Sequence, residues 1–226
     1  MSKVWKCESW LQFSEVGLNK FLIEFHKELD MIRVINGRPW SLDRWLICLQ
    51  VFDGSMSINE VPFNKEEFWI QAFNLPFDFM NQDFGYQLGS SIGRVLKVHA
   101  DNRGIGWGRF LRLRVEVDIT KPLLRGLFLT VESKKMWVPF KYERLPSLCF
   151  KCGVIKHSQA SCTSTGQNGG GQLQYGTWLR ATAVKESELQ FKRYGEGDKP
   201  DGQPGAQPWR EGGKDRDDDM NYPNSS

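Results

Sequence analysis

The chain has 226 residues, 40% of them hydrophobic and 25% charged, enough for one globular core of roughly 150 residues with further segments attached. No run approaches the ~18–20 uncharged apolar residues of a membrane span, and the N-terminus lacks the apolar stretch and small-residue cleavage site of a signal peptide, so an intracellular protein, nuclear or cytoplasmic, is expected. The formal net charge of +3 conceals an asymmetry: residues 1–93 hold 8 Lys/Arg against 12 Asp/Glu, residues 94–156 hold 14 against 5, and residues 163–226 hold 8 against 10.

Val4–Leu11 reads as one or two helical turns, followed by extended stretches at Phe13–Val16 and Asn19–Phe25, with a turn at Gly17-Leu18-Asn19. Lys27–Asn36 sets Leu29, Ile32 and Ile35 at i, i+3 and i+6, a helical spacing closed by Asn36-Gly37. Arg44–Phe52 alternates Trp45, Ile47, Leu49 and Val51, which predicts a strand ending at Asp53-Gly54. Phe68–Phe73 is a short apolar run, and Asp78–Gly93 predicts a helix with Phe79, Asp83, Tyr86 and Ser90 near one stripe. Arg94–His99 is a candidate strand. Gly104-Ile-Gly106-Trp-Gly108 reads as a hairpin loop, since it precedes a strand and no Lys-Ser/Thr follows it.

The clearest element is Phe110–Ile119, where Leu111, Leu113, Val115, Val117 and Ile119 alternate with Phe110, Arg112, Arg114, Glu116 and Asp118. Strict period two means one buried and one wet face. Leu127–Glu132 and Lys135–Glu143 then predict a hairpin. The sum is an α+β fold, an antiparallel sheet with helices on one side. Beyond Cys162, Thr163–Gly171 is a linker by composition, Gln174–Ala181 a small aromatic island, and Gly195–Ser226 too poor in apolar residues to fold. The expected organisation is an α+β domain over 1–146, a metal module over 147–163 and a flexible tail over 164–226.

Five cysteines, an odd number, in a chain without a secretory signal argue for reduced thiols. Three of them form, with one histidine, the array Cys149-x2-Cys152-x4-His157-x4-Cys162. Two thiolates two residues apart can wrap a tight turn around one ion, Gly153 lets the backbone turn toward it, and His157 and Cys162 complete a closed tetrahedron. That predicts one structural Zn2+ with no open position for catalysis. A fourteen-residue module has no core of its own, so metal ligation is expected to hold its fold.

The array resembles the CCHC-type zinc knuckle of retroviral nucleocapsids and many RNA-binding proteins. In particular it resembles the variant that follows the DUF4283 domain in plant retrotransposon-derived proteins. Gly37-Arg-Pro-Trp40-Ser41, Arg44–Leu49, Phe68-Trp-Ile-Gln71, Leu75-Pro76, Gly89–Gly93, Arg109–Ile119, Pro139–Pro146 and Tyr175–Ala181 also look like that family's text, covering about residues 10–181. The resemblance implies a small RRM-like α+β domain, a nucleic-acid-binding knuckle, and descent from a retrotransposon ORF1, a gag-like protein. Lys156 stands where the family usually has Gly, and family members typically carry an extra strand and helix before residue 1, so an N-terminally truncated copy is expected.

Knuckles grip single-stranded RNA or DNA by joining a cationic surface to an apolar platform for an unstacked base. Phe150 is the natural stacking residue, Val154 and Ile155 extend the cleft, and Lys151 and Lys156 supply charge. A second candidate surface is the wet face of the late strands, where Arg112, Arg114, Trp137 and Lys141 stand with Phe128. The alternative is a protein-interaction or self-association module with a purely structural knuckle. Enzyme motifs are absent: there is no Gly-x-Ser-x-Gly, no P-loop, no Tyr-x-Asp-Asp and no paired carboxylates beside a histidine. Neither a small-molecule substrate nor a membrane is expected as partner.

Overall fold

The computed structural model describes residues 2–155, 157, 162–163, 173–182 and 184. A single helical turn, α1 (Ser2–Trp5), leads into an antiparallel ribbon of β1 (Leu11–Gly17) and β2 (Lys20–Phe25). Helix α2 (Glu28–Asn36) follows and closes on Gly37, whose N–H donates to the Arg33 carbonyl at 3.0 Å. Its inward side is only partly the expected one: Ile35 packs inward, but Val34 and Asp30 are the buried residues, and Leu29 and Ile32 are exposed. Val34 packs with Trp5 and Leu49 in a small apolar cluster. The Asp30 carboxylate accepts the N–H groups of Glu8 and Ser9 at 3.0–3.2 Å and the Arg33 guanidinium at 2.9 Å, which anchors the N-terminus to the helix.

The expected long strand over Arg44–Phe52 is instead a short hairpin, β3 (Trp40–Leu42) and β4 (Trp45–Ile47). Asp43 and Arg44 both take left-handed conformations, φ 48° and 70°, and form its two-residue turn. No strand partner continues the alternation past Ile47 among the described residues.

The main sheet is built by β5 (Lys65–Ala72), β6 (Arg94–His99), β7 (Leu111–Asp118), β8 (Gly126–Val131), β9 (Lys134–Glu143) and β10 (Arg180–Ala181). Its order is β10-β9-β5-β7-β6, with β8 also paired to β9. Every pairing is antiparallel except β10 on β9, which is parallel. Helix α3 (Gln82–Ser90) joins β5 to β6 while β7 lies between those two strands, a split β-α-β unit. In the second half, the chain from β7 to β9 runs through an extended segment and β8 and contains no helix.

Phe68, Ile70 and Ala72 of β5 lie opposite Val115, Leu113 and Leu111, and all six are fully buried under α3. Helix α3 starts at Asn81, whose Oδ1 accepts the Phe84 N–H at 2.8 Å. Its buried side is Gly85, Leu88 and Gly89; Tyr86, on the expected stripe, is exposed. The two glycines decide this, because they let the helix approach the sheet closely. A Cβ at Gly85 would stand 2.6 Å from Val98 Cγ1, and one at Gly89 2.6 Å from Val95 Cγ2. Among the described residues only α3 covers the sheet in this way, whereas α2 belongs to the N-terminal cluster. Among the described residues no helix is long and apolar enough to cross a membrane.

The C-terminal aromatic island departs from the expected flexible tail. Thr177–Leu179 form a 3-10 turn, Arg180–Ala181 pair with Tyr142–Glu143, and Leu179 and Ala181 are buried. Side-chain hydrogen bonds add to this: Gln71 donates to the Thr182 carbonyl at 3.2 Å, Arg180 to the Pro146 carbonyl at 3.3 Å and Arg125 to the Gln174 carbonyl at 3.3 Å. The expected disorder of Gly195–Ser226 lies outside the described residues.

The N-terminal cluster is tied to the sheet by polar contacts. Arg38 donates to the carbonyls of Ile35 and Leu49 and to the Glu67 carboxylate, Arg144 donates to the Gly37 carbonyl at 2.8 Å, and the Ser147 N–H donates to the Arg44 carbonyl at 2.6 Å. Beneath them Glu66 points to the apolar side of β5, and its Oε2 has no hydrogen-bond partner among the described residues. Burial pushes its carboxyl up to about 7, against the opposing pull of the Glu67 N–H and Arg38. The native state therefore holds a proton that the unfolded chain releases between about pH 4.5 and 7, so stability falls as pH rises through that window, by up to roughly 3 kcal/mol. Urea titrations at several pH values are expected to show this decline in the wild type and a flatter profile in Glu66→Gln.

Candidate metal centre and nucleic-acid interface

After β9 the chain turns into the sheet's core through Leu145 and Leu148, both buried, before reaching the first cysteine. The turn that follows closes on itself: the Gly153 N–H donates to the Cys149 carbonyl at 2.8 Å and the Cys149 N–H to the Val154 carbonyl at 3.0 Å. Gly153 has φ 77°, and a Cβ there would stand 2.3 Å from the Tyr175 ring, so glycine is required twice over. The Gly153 carbonyl accepts the Leu123 N–H at 2.9 Å. Ile155 is buried in the same apolar cluster as the sheet. The first half of the knuckle is therefore packed against the sheet.

The donor atoms of Cys149, Cys152, His157 and Cys162 all lie within 4.8 Å of one another, with Cys152 Sγ and His157 Nε2 at 2.9 Å. A tetrahedral zinc site with bonds of about 2.3 Å to sulfur and 2.0–2.1 Å to nitrogen has donor–donor edges of roughly 3.5–3.8 Å. The four donors fit that ion with small adjustments, and three thiols with one imidazole are a soft, closed set suited to structural zinc. Burial alone would raise the Cys149 thiol, but the N–H groups of Cys152 and Lys151 outweigh it and hold the thiol below its usual value. Cys152 is pushed up to about 11, first by burial and then by its thiol neighbours. A cation is what lets such crowded sulfurs ionise together.

The nucleic-acid candidates fall into two groups. In the knuckle, Lys151 is exposed and Val154 half-buried, while Lys156 lies outside the described residues. Phe150 is partly buried and packs on the sheet's core, and Ile155 is 4% exposed. Ile155 thus serves the core instead of lining an open cleft, because the turn delivers it inward beside Leu148. On the sheet, Arg112 and Arg114 leave the α3 side as expected, but their face is not wet. Glu143 accepts two bonds from Arg112 at 2.8 Å, Glu67 accepts Arg114 at 2.7 Å, and the two arginine side chains are only 11% and 15% exposed. The Arg112 guanidinium also stacks 3.7 Å from the centre of Trp69. Trp137 and Lys141 share that face; Trp137 is 37% exposed and Lys141 half-buried.

Sequence reasoning missed Tyr175, Glu67, Glu143 and Trp69. Parity along each strand places Trp69 and Glu143 on the arginine face, yet only the register of β5 against β7 and β9 shows that they meet the arginines. For Tyr175 no signal existed, since it reaches Gly153 from 22 residues downstream.

The zinc-knuckle family profile matches residues 117–164, from the end of β7 through the last ligand. The chain thus carries a zinc knuckle whose four ligands converge in space. No curated protein and no solved structure matches the chain.

Metal analysis of the purified protein is expected to give one zinc per chain, with Cys152→Ser or His157→Ala losing it and melting at lower temperature. Gly153→Ala meets both a left-handed backbone and the Tyr175 ring, so its unfolding free energy is expected to drop by more than about 1 kcal/mol in a denaturant titration.

Proposed function

We propose that the protein binds single-stranded RNA or DNA without catalysing a reaction on it, its zinc knuckle and sheet acting together, as a gag-like, retrotransposon-derived nucleic-acid carrier. The convergence of Cys149, Cys152, His157 and Cys162 carries this reading. Zinc, when bound, supplies only ligation: a set of three thiolates and an imidazole leaves no position for a metal-bound water. Around it the chain's own residues do the binding, with Lys151 exposed beside the ligands and a 94–156 segment of 14 cations against 5 acids. The split β-α-β unit and the order β9-β5-β7-β6 support the RRM-like reading; the missing second helix is the departure from it. The unbridged thiols suit a reducing, intracellular setting.

One observation favours a second reading, self-association or protein docking. The N-terminal part holds an apolar groove of about 140 Å³ between β2, α2 and the strand-free stretch after β4, lined among others by Phe21, Ile23, Leu49 and Phe63. Salt separates the two readings, since phosphate contacts weaken steeply with ionic strength and apolar docking does not. A fluorescent single-stranded RNA is expected to bind the zinc-loaded chain at about 50 mM salt, to weaken steadily towards about 200 mM, and to be released by chelation. Absence of binding at the lowest salt with zinc bound would overturn the nucleic-acid reading.

A further inference from the structure

The arginine face of the main sheet is divided into two regions of different chemistry. Across its middle, every carboxylate is paired: Glu67 with Arg38 and Arg114, Glu143 with Arg112, and Glu116 with Arg94 and Lys65. That belt sets three carboxylates against five cations, and Arg112 and Arg114 at its centre are nearly enclosed and already held by carboxylates. Beyond it, where β5 ends and β7 begins, the same face turns aromatic. Phe73 directly follows Ala72, Phe110 directly precedes Leu111, and their rings meet at 5.2 Å. On the neighbouring strand, Lys141 sits with its ammonium 5.0 Å from the Phe73 ring and forms no ion pair among the described residues. Further along β9 and across to β8, Trp137 and Phe128 pair at 4.9 Å, 37% and 67% exposed. Lys135, exposed, faces the same side two residues before Trp137.

We propose that this aromatic end of the sheet, and not the arginine belt, is where bases of a single-stranded nucleic acid stack. The inference rests on the nucleic-acid-binding reading above and assigns its second contact surface. The two aromatic pairs offer π-surfaces of a kind that any base can stack on, while Lys141 and Lys135, which form no ion pair among the described residues, lie beside them as cations for the phosphates. From β7 across β5 and β9 to β8 the surface spans three inter-strand steps, about 14 Å, room for a few nucleotides laid across the strands. The occupant follows from charge: an apolar peptide would leave Lys141 facing a neutral surface, whereas a polyanion with aromatic bases matches both elements. Trp137 also packs over Gly126, next to Arg125, whose guanidinium lies 5.7 Å from the Tyr175 ring that covers the knuckle's Gly153. The surface is therefore connected by direct contacts to the metal module.

The test uses the full zinc-loaded chain with a fluorescein-labelled oligouridine of about twelve residues carrying 4-thiouridine. Binding is read by anisotropy, and photo-crosslinked peptides are mapped by mass spectrometry. Phe128→Ala and Lys141→Gln are expected to weaken binding about tenfold each with unchanged melting temperature, and crosslinks are expected within residues 128–141 and near Phe73 or Phe110 as well as in the knuckle. Wild-type binding with crosslinks confined to 149–162, and variants indistinguishable from wild type, would overturn this assignment and leave the nucleic-acid reading standing. No wild-type binding at low salt would overturn both.

Discussion

The pairing of Phe68, Ile70 and Ala72 with Val115, Leu113 and Leu111 is the constraint from which most of the molecule follows. Because side chains alternate along a strand, a register that sends these six residues beneath α3 must send Trp69 and Gln71 out beside Arg114 and Arg112. The second pairing, of β5 with β9, then brings Lys141 opposite Gln71 and leaves Glu143 within reach of both Gln71 and Arg112. A slip of one residue would bury the charges and expose the core together. The ion-pair belt is thus a by-product of core formation. Its inner pairs, Arg112 with Glu143 and Arg114 with Glu67, are nearly enclosed, so removing either carboxylate would leave a cation without compensation and cost far more than a surface pair.

The same sheet supplies the footing for the knuckle. A metal loop of fourteen residues cannot bury enough apolar surface to order itself. Here part of that ordering comes from outside: Ile155 and Leu148 enter the sheet's core, Leu123 binds the Gly153 carbonyl, and Tyr175 lies on Gly153. Tyr175 belongs to the segment that continues into β10, so the ion, the turn and the last strand are linked in one chain of contacts. The family profile, which begins at residue 117 and not at the first cysteine, spans this same combination of hairpin and ligands.

How far the sequence could be read depended on how local each signal was. The ligand set was legible because its spacing alone encodes the geometry, and β7 because ten residues keep strict alternation. The β8–β9 hairpin was legible too, although its turn residues Glu132 and Ser133 take left-handed conformations that no glycine announces. Helix α3 was found but its buried side was not, since that side is made by two glycines that carry no hydrophobic signal. Likewise the stripe of α2 is Leu29, Ile32 and Ile35, of which only Ile35 packs inward, because tertiary contacts with Trp5 and Leu49 select Val34. The partners of Arg112 and Arg114 were invisible because Glu143 lies 31 residues away and Glu67 lies 47 away. The inward placement of Ile155 is hidden for the same reason, as nothing in the knuckle's own text shows which side meets the sheet.

On the reading proposed above, knuckle and sheet form one metal-dependent unit that holds a single strand. Amide hydrogen exchange on the full chain, with zinc and after chelation, addresses it directly. Chelation is expected to deprotect the Cys149 and Gly153 amides together with Leu123 and the β9–β10 pairing, and added single-stranded RNA to restore no protection without the metal. Loss of protection confined to residues 149–162, with Leu123 and β10 unchanged, would contradict it.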